Sequence, residues 1–296
     1  MLKEIEELKR AKGAVILAHN YQLPEIQDNA DVVGDSLELA IRAAETKSDL
    51  IVVCGVDFMA ETAKIINPDK KVLIPVRDAT CPLAHMLTPE MIREAKEAFP
   101  EAAVVVYVNS TAETKALADV TCTSANAVNV VKSLGQRDVI FAPDANLASY
   151  VQKRLPEKRI IPVPERGYCY VHTEFSKEDV EEARKKGSVV VCHPECNPEV
   201  QEISDHIAST GGMVRLAHMN DVWSVFTERD MAHRLKQLFP EKTFYAREGA
   251  VCYDMKLTRL EDLRRSLLYE QYEVTLPKDV MENARGAIER MLAVGR

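Results

Sequence analysis

Three cysteines, Cys81, Cys169 and Cys252, recur at intervals of 88 and 83 residues. Each ends a similar short segment: Ala79-Thr-Cys81, Gly167-Tyr-Cys169 and Gly249-Ala-Val-Cys252. Three converging thiolates admit three readings. They are buried core thiols; or, with the nearby His172, the ligands of a structural zinc; or the ligands of an iron–sulfur cluster. Such a cluster usually takes four thiolates, so three would leave one iron without a protein ligand. An open coordination position marks a catalytic metal rather than a structural one. Cys54, Cys122, Cys192 and Cys196 do not recur in this way and are read as packing residues.

Polar residues keep the same beat. His19, Tyr107 and His193 are spaced by 88 and 86, each at the end of an apolar run. Tyr21, Asn109 and Glu195 follow two residues later, and on an extended segment positions i and i+2 point the same way. Asp35-Ser36, Thr123-Ser124 and Ser209-Thr210 repeat at 88 and 86. The first two open helical patterns expected over 36–46 and 124–133, where a hydroxyl and free amides make an anion site. The third runs into Gly211-Gly212 and reads as a tight turn. His85, His206, His218 and His233 lack repeat partners and are read as surface or packing residues; Asp57, Asp144 and Glu228 as helix caps or dipole partners.

Apolar β-type runs alternating with helical patterns position these groups, which predicts βαβ units around small parallel sheets. Asp49–Val56, Asp138–Ala142 and Asp221–Phe226 are equivalent runs, followed by helices expected over 58–67, 145–155 and 229–239. Pro68, Pro156 and Pro240 then repeat at 88 and 84. Three homologous α/β/α units are expected over 1–80, 81–168 and 169–256, arranged around a pseudo-threefold axis. A unit of this size alone hides only about 60–65% of its unfolded surface, so the three must protect one another. Ligands of parallel sheets bind beyond the strands' carboxyl ends, which would gather cysteines, polar pairs and hydroxyls on the axis. The remainder, 257–296, reads as a helix over 257–270, a strand over Tyr272–Leu276 and a helix from Pro277, all packing back on the first unit.

Composition narrows the class. Of 296 residues, 46% are hydrophobic and 28% charged, as in an ordinary globular protein. A net charge of −8 argues against a nucleic-acid binder held by bulk positive charge, so an anionic ligand must be held by local devices. The charged start, Met1–Arg10, and the lack of a long apolar run argue against export and membrane insertion. Seven cysteines without an export signal argue against a disulfide scaffold; a cytoplasmic protein is expected.

The segments Ala18-His-Asn-Tyr-Gln22, Gly34-Asp-Ser36, Gly55–Glu61, Ala79-Thr-Cys-Pro82, Tyr107-Val-Asn-Ser110, Cys122–Asn126, Gly167–His172, His193-Pro-Glu-Cys196 and Ala208–Met213 together resemble the quinolinate synthases of NAD biosynthesis. The resemblance runs collinearly over essentially the whole chain. It implies a [4Fe–4S] cluster on Cys81, Cys169 and Cys252 with one iron open to substrate. It also implies condensation of iminoaspartate with dihydroxyacetone phosphate to quinolinate, phosphate and water, with the open iron acting as Lewis acid. An L-aspartate-oxidising enzyme would supply the iminoaspartate. On this footing Ser36, Ser124, Ser209 and Thr210 are expected at the phosphate, and His19, Tyr107, Asn109 and His193 at the dicarboxylate. Glu195 and Tyr21 are expected as base and acid, assisted by His19 and Tyr107, with Glu195 also touching substrate. Two departures stand out: Ala208 replaces an expected Gly, and Ala250–Met255 lacks the extra cysteines that would support a redox-switch disulfide. An electron-transfer or radical iron–sulfur protein would show local cysteine runs, which are missing. A non-catalytic small-molecule binder would leave three converging thiols without a purpose.

Overall fold

A computed structural model describes residues 1–295. Among the described residues, twelve strands form three four-stranded parallel sheets. The first holds β1 (Ala14–His19), β2 (Val32–Gly34), β3 (Leu50–Cys54) and β4 (Lys71–Leu73). The second holds β5 (Ala103–Tyr107), β6 (Val120–Cys122), β7 (Asp138–Ala142) and β8 (Arg159–Pro162). The third holds β9 (Val189–Cys192), β10 (His206–Ile207), β11 (Val222–Phe226) and β12 (Thr243–Tyr245). Every sheet has the same order, with its second, first, third and fourth strands side by side. Each first strand is preceded by a helix: Leu2–Lys12, Pro89–Ala98 or Lys177–Lys185. The threefold duplication is therefore one of topology as well as of residues.

Parallel strands must return through crossovers, and helices on both faces bury the sheet, which is why the central strands are nearly unbroken Val, Ile and Leu. β3 and β5 are buried along their whole length. One apolar core runs without a break from Leu17 and Val53 through Val105 and Phe141 to Ile288 and Met291. The third unit keeps separate cores around Val190 and Phe226 and around Val191 and Trp223. Units one and two thus share an interior that unit three enters only at Met255, with Cys169 and Cys252 packed against it.

Four local expectations are corrected. The helix expected from 124 begins at Ala127, because Asn126 Oδ1 accepts the Thr123 N–H at 2.8 Å and holds 123–126 in a turn. Ser209-Thr210 opens a helix, Thr210–Leu216, instead of a tight turn; the Ser209 hydroxyl caps the Gly212 N–H at 3.2 Å. The two glycines are there for space: a Cβ on Gly211 would lie 2.3 Å from Asp35 Oδ2 of the first unit. Tyr272–Leu276 forms a single antiparallel bridge, Glu273 to Leu73, with only the Ile74 and Val274 N–H groups bonded across it. Finally, the closing segment does not pack on the first unit alone. Helix Leu260–Tyr269 lies on Leu2–Lys12, but Lys278–Val294 lies mainly on β6 and Ala112–Lys115 of the second unit. The division at 80, 168 and 256 remains our proposal for the units.

Candidate active site

His19 and Tyr107 are the last residues of β1 and β5, and His193 follows β9 directly. Those three strand ends open into one cavity, lined by residues of all three units. Tyr21, Asn109 and Glu195 join them at its wall, as do Ser36, Ser124 and Thr210. Ser36 and Thr210 are first residues of helices, while Ser124 sits in the turn ahead of Ala127. Ser209 is the exception: it is buried, its hydroxyl is spent on the cap, and it does not line the cavity. His85, His206, His218 and His233 also lie away from it.

Cys81, Cys169 and Cys252 meet at the same cavity. Each follows the last strand of its unit and precedes a turn of 3₁₀ helix, at Ala84–Met86, His172–Glu174 or Asp254–Lys256. The loops are pinned alike. Asp57 N–H donates to Ala79 O (2.9 Å), Ala145 to Gly167 (2.8 Å) and Arg229 to Ala250 (2.9 Å), each two residues before the cysteine. Each sulfur accepts the backbone N–H three residues on, from Ala84, His172 or Met255. Burial raises all three thiols, Cys252 to about 11; the charge of Cys252 raises Cys81 and Cys169 further, and that of Cys81 raises Cys169. Holding three thiolates together needs a cation, and this donor set of three sulfurs on one cavity, each with a backbone donor, fits an iron–sulfur cluster.

Two histidines are set alike by the backbone. His19 Nδ1 accepts the Tyr21 N–H at 3.2 Å and His193 Nδ1 accepts that of Glu195 at 3.3 Å. Nδ1 is therefore the acceptor and the proton sits on Nε2, which in His193 reaches Ser124 Oγ at 3.2 Å. Burial chiefly, helped by Lys256 at His19 and by His172 at His193, pushes both down to about 3. Both rings are neutral donors near pH 7.

Glu195 is almost wholly buried. Its Oε1 accepts the Tyr107 hydroxyl at 2.5 Å and its Oε2 lies 2.8 Å from His172 Nδ1. Burial pushes this carboxyl up, but His193, His172 and the two hydrogen bonds outweigh it and hold the group down at about 2. It is a carboxylate throughout the working range. Burial raises the Tyr21 and Tyr107 phenols well above their ordinary value, so both keep their protons. His172 Nε2 continues to Thr227 Oγ1 (2.8 Å), and Thr227 to the Tyr21 hydroxyl (2.5 Å). A hydrogen-bonded chain therefore joins Glu195 to Tyr21 across the cavity. Lys256 fixes the far end: its ammonium meets Glu228 Oε1 (2.7 Å), Asp230 Oδ2 (2.6 Å) and the Tyr21 carbonyl (2.5 Å). The buried Asn109 Oδ1 has no partner among the described residues.

Sequence reasoning missed His172 and Thr227 as members of this chain, and a signal for them was present. The third residue after the repeating cysteine is Ala84, His172 or Met255; the residue before the acidic landmark is Val56, Pro143 or Thr227. In each set one polar residue interrupts an otherwise apolar position. Cys169, His172 and Glu195 also offer ligand atoms within 4.8 Å of one another, so a single ion is a second possibility for this corner. Asp144 caps the Leu147 N–H as expected of it; Asp57, in the first turn of its helix, accepts the Phe58 N–H and also pairs with His85, and Glu228 accepts the Asp230 N–H ahead of its helix and also pairs with Lys256.

A family model described as quinolinate synthetase A protein matches residues 3–293. Among curated relatives, the quinolinate synthase of Pyrococcus furiosus is 59% identical over 293 residues, covering 98% of this chain and 96% of the relative. That of Pyrococcus abyssi is 58% identical over 295 residues, covering 99% and 98%. That of Thermotoga maritima is 51% identical over 295 residues, covering 98% of each.

Proposed function

This chain belongs to the quinolinate synthetase A family, and on that premise we propose that it condenses iminoaspartate with dihydroxyacetone phosphate to quinolinate, phosphate and water. Cys81, Cys169 and Cys252 would hold a [4Fe–4S] cluster, whose open iron would supply Lewis-acid help to the departing hydroxyl. The observation that carries this reading is that three repeat-equivalent sulfurs and three repeat-equivalent polar pairs share one cavity.

The chain's own residues divide the work by charge. Ser36 and Thr210 present hydroxyls at helix starts, and Ser124 a third, a neutral donor set suited to the phosphate of the triose. Ser209 supports that set from behind by capping the helix Thr210 begins. Neutral Nε2–H groups of His19 and His193, with Asn109 and Tyr107, would receive the dicarboxylate without the cost of a buried cation. The unpartnered Asn109 amide oxygen is free to accept a hydrogen bond from substrate nitrogen or hydroxyl. Glu195, held ionised, is the base for carbon-bound protons, and Tyr107 on its other oxygen holds its orientation. Tyr21, kept protonated, is the acid; Thr227 and His172 lie between the two and would pass the proton back.

No helix among the described residues is long and apolar enough to cross a membrane. On this reading the protein works in the cytoplasm, and iminoaspartate comes from an L-aspartate-oxidising enzyme. The test is anaerobic purification, an iron and sulfide count, and a quinolinate assay with both substrates. About four irons and four sulfides per chain are expected, as the cluster formula requires, together with product. A colourless protein holding one zinc, or a loaded protein that makes no quinolinate, would overturn the proposal.

A further inference from the structure

Lys115 is one of the largest fully buried side chains of the protein, at 0% exposure, where the first and second units meet. Its ammonium donates to the Phe58 carbonyl at 3.3 Å and the Thr62 hydroxyl at 3.1 Å, and stands 5.3 Å from the centre of the Phe58 ring. It forms no ion pair with a carboxylate among the described residues. The nearest acids are otherwise engaged: Glu61 accepts the Ala112 N–H at 2.8 Å, and Asp57 pairs with His85 at 2.7 Å. Burial lowers Lys115 to about 8, which leaves it mainly charged at neutral pH.

The repeat makes the charge unusual. By the spacing that aligns His19, Tyr107 and His193, the positions equivalent to Lys115 are Gln27 and Gln201. Both glutamines are buried and fill the place with a neutral amide, which holds the loop after the first strand of their own unit, while the Lys115 ammonium reaches over to the first unit. Gln27 donates to the carbonyls of Asn20, Gln22 and Asp230, and Gln201 to those of Pro194 and Cys196. Two units out of three thus fill the place without a cation. A buried ammonium with only neutral acceptors costs several kcal/mol unless an anion offsets it. Phe58 separates it from the cavity, and the negative groups that act on it are Glu61, Asp57, Cys81 and Glu113 in falling order.

We propose that Lys115 is a counter-charge for the thiolate-bound cluster, placed behind Phe58 on the Cys81 side to stabilise its negative charge. Lys115 does not touch the substrate; it acts through space on the metal centre. The inference rests on the cluster assignment made above. A cation so placed favours the more negative, reduced state of the cluster, so its removal makes the reduction potential more negative. In protein stripped of iron the cation keeps only carboxylates that are not paired with it, Glu61, Asp57 and Glu113, and its removal is neutral or stabilising.

The experiment compares wild type with Lys115→Gln, which installs the side chain of the two sister units. Lys115→Met serves if that variant fails to fold, and Lys115→Arg restores the charge. Substrate-free holoprotein is titrated reductively with mediators, and iron-free protein is melted. The inference expects a more negative potential in Lys115→Gln, a near-normal one in Lys115→Arg, and an iron-free melting temperature equal to or above wild type. An unchanged potential in a loaded Lys115→Gln protein overturns it, as does a loss of stability that is the same with and without iron, which would make Lys115 a partner for Glu61. Wild-type protein without iron and sulfide overturns the cluster assignment itself, so the two failures are told apart by the wild-type count.

Discussion

At the scale of single residues, protonation states do most of the arranging. Burial alone would neutralise Glu195, His19 and His193 alike, yet Glu195 stays ionised because His193 and His172 stand beside it and two donors point at its oxygens. Neutral histidines beside an ionised carboxylate make a site that receives anions by hydrogen bonding and keeps one base for protons. Glu195→Gln preserves the shape and removes the base. We expect it to lower kcat by about 10²–10⁴-fold with iron and sulfide content unchanged, measured on anaerobically loaded protein. Equal turnover would remove Glu195 from proton transfer. His172 shows what residue types alone leave hidden: its partners Glu195 and Thr227 lie 23 and 55 residues away along the chain.

At the scale of elements, the cysteine loops depend on backbone fit. Gly167 occupies the place of Ala79 and Ala250, yet a Cβ there would meet the Pro143 carbonyl oxygen at 1.9 Å. No rotamer change relieves a clash with backbone, so Gly167→Ala must displace the loop that carries Cys169. A cost of about 1–3 kcal/mol in denaturant unfolding and a reduced iron count are expected. Gly249→Ala is the control: it lies in the Cys252 loop with nothing within 4 Å of the new methyl, and should leave both readouts alone. The delayed helix at Ala127 belongs to this scale as well. Ser124 looked like a helix start because its neighbours match the other units, but the Asn126 side chain competes for the turn, a local hydrogen bond that hydrophobic periodicity does not register.

At the scale of the whole molecule, units one and two are fused by a common core and by helix Lys278–Val294, while unit three is joined through the cavity wall and polar contacts such as Lys256 to Tyr21. Amides of β9 and β11 should therefore exchange with solvent before those of β1, β3, β5 and β7 in iron-free protein, followed by hydrogen–deuterium exchange. Loading iron should narrow the difference, since cysteines of all three units would then be tied; uniform protection in the iron-free state would contradict it. The chain's own residues were enough to reveal the threefold duplication, the parallel α/β units and the groups that gather on the axis. Repetition is a one-dimensional property: a landmark at constant spacing survives translation into any fold that repeats. Only the folded chain decided which repeat-breaking residues matter. Thr227 and Lys115 take their meaning from neighbours in other units and His172 from residues far along its own, and the closing helix chose the second unit because an apolar face can pack wherever a complementary one is offered. Contacts of that kind are set by distances in space, which no spacing along the chain encodes.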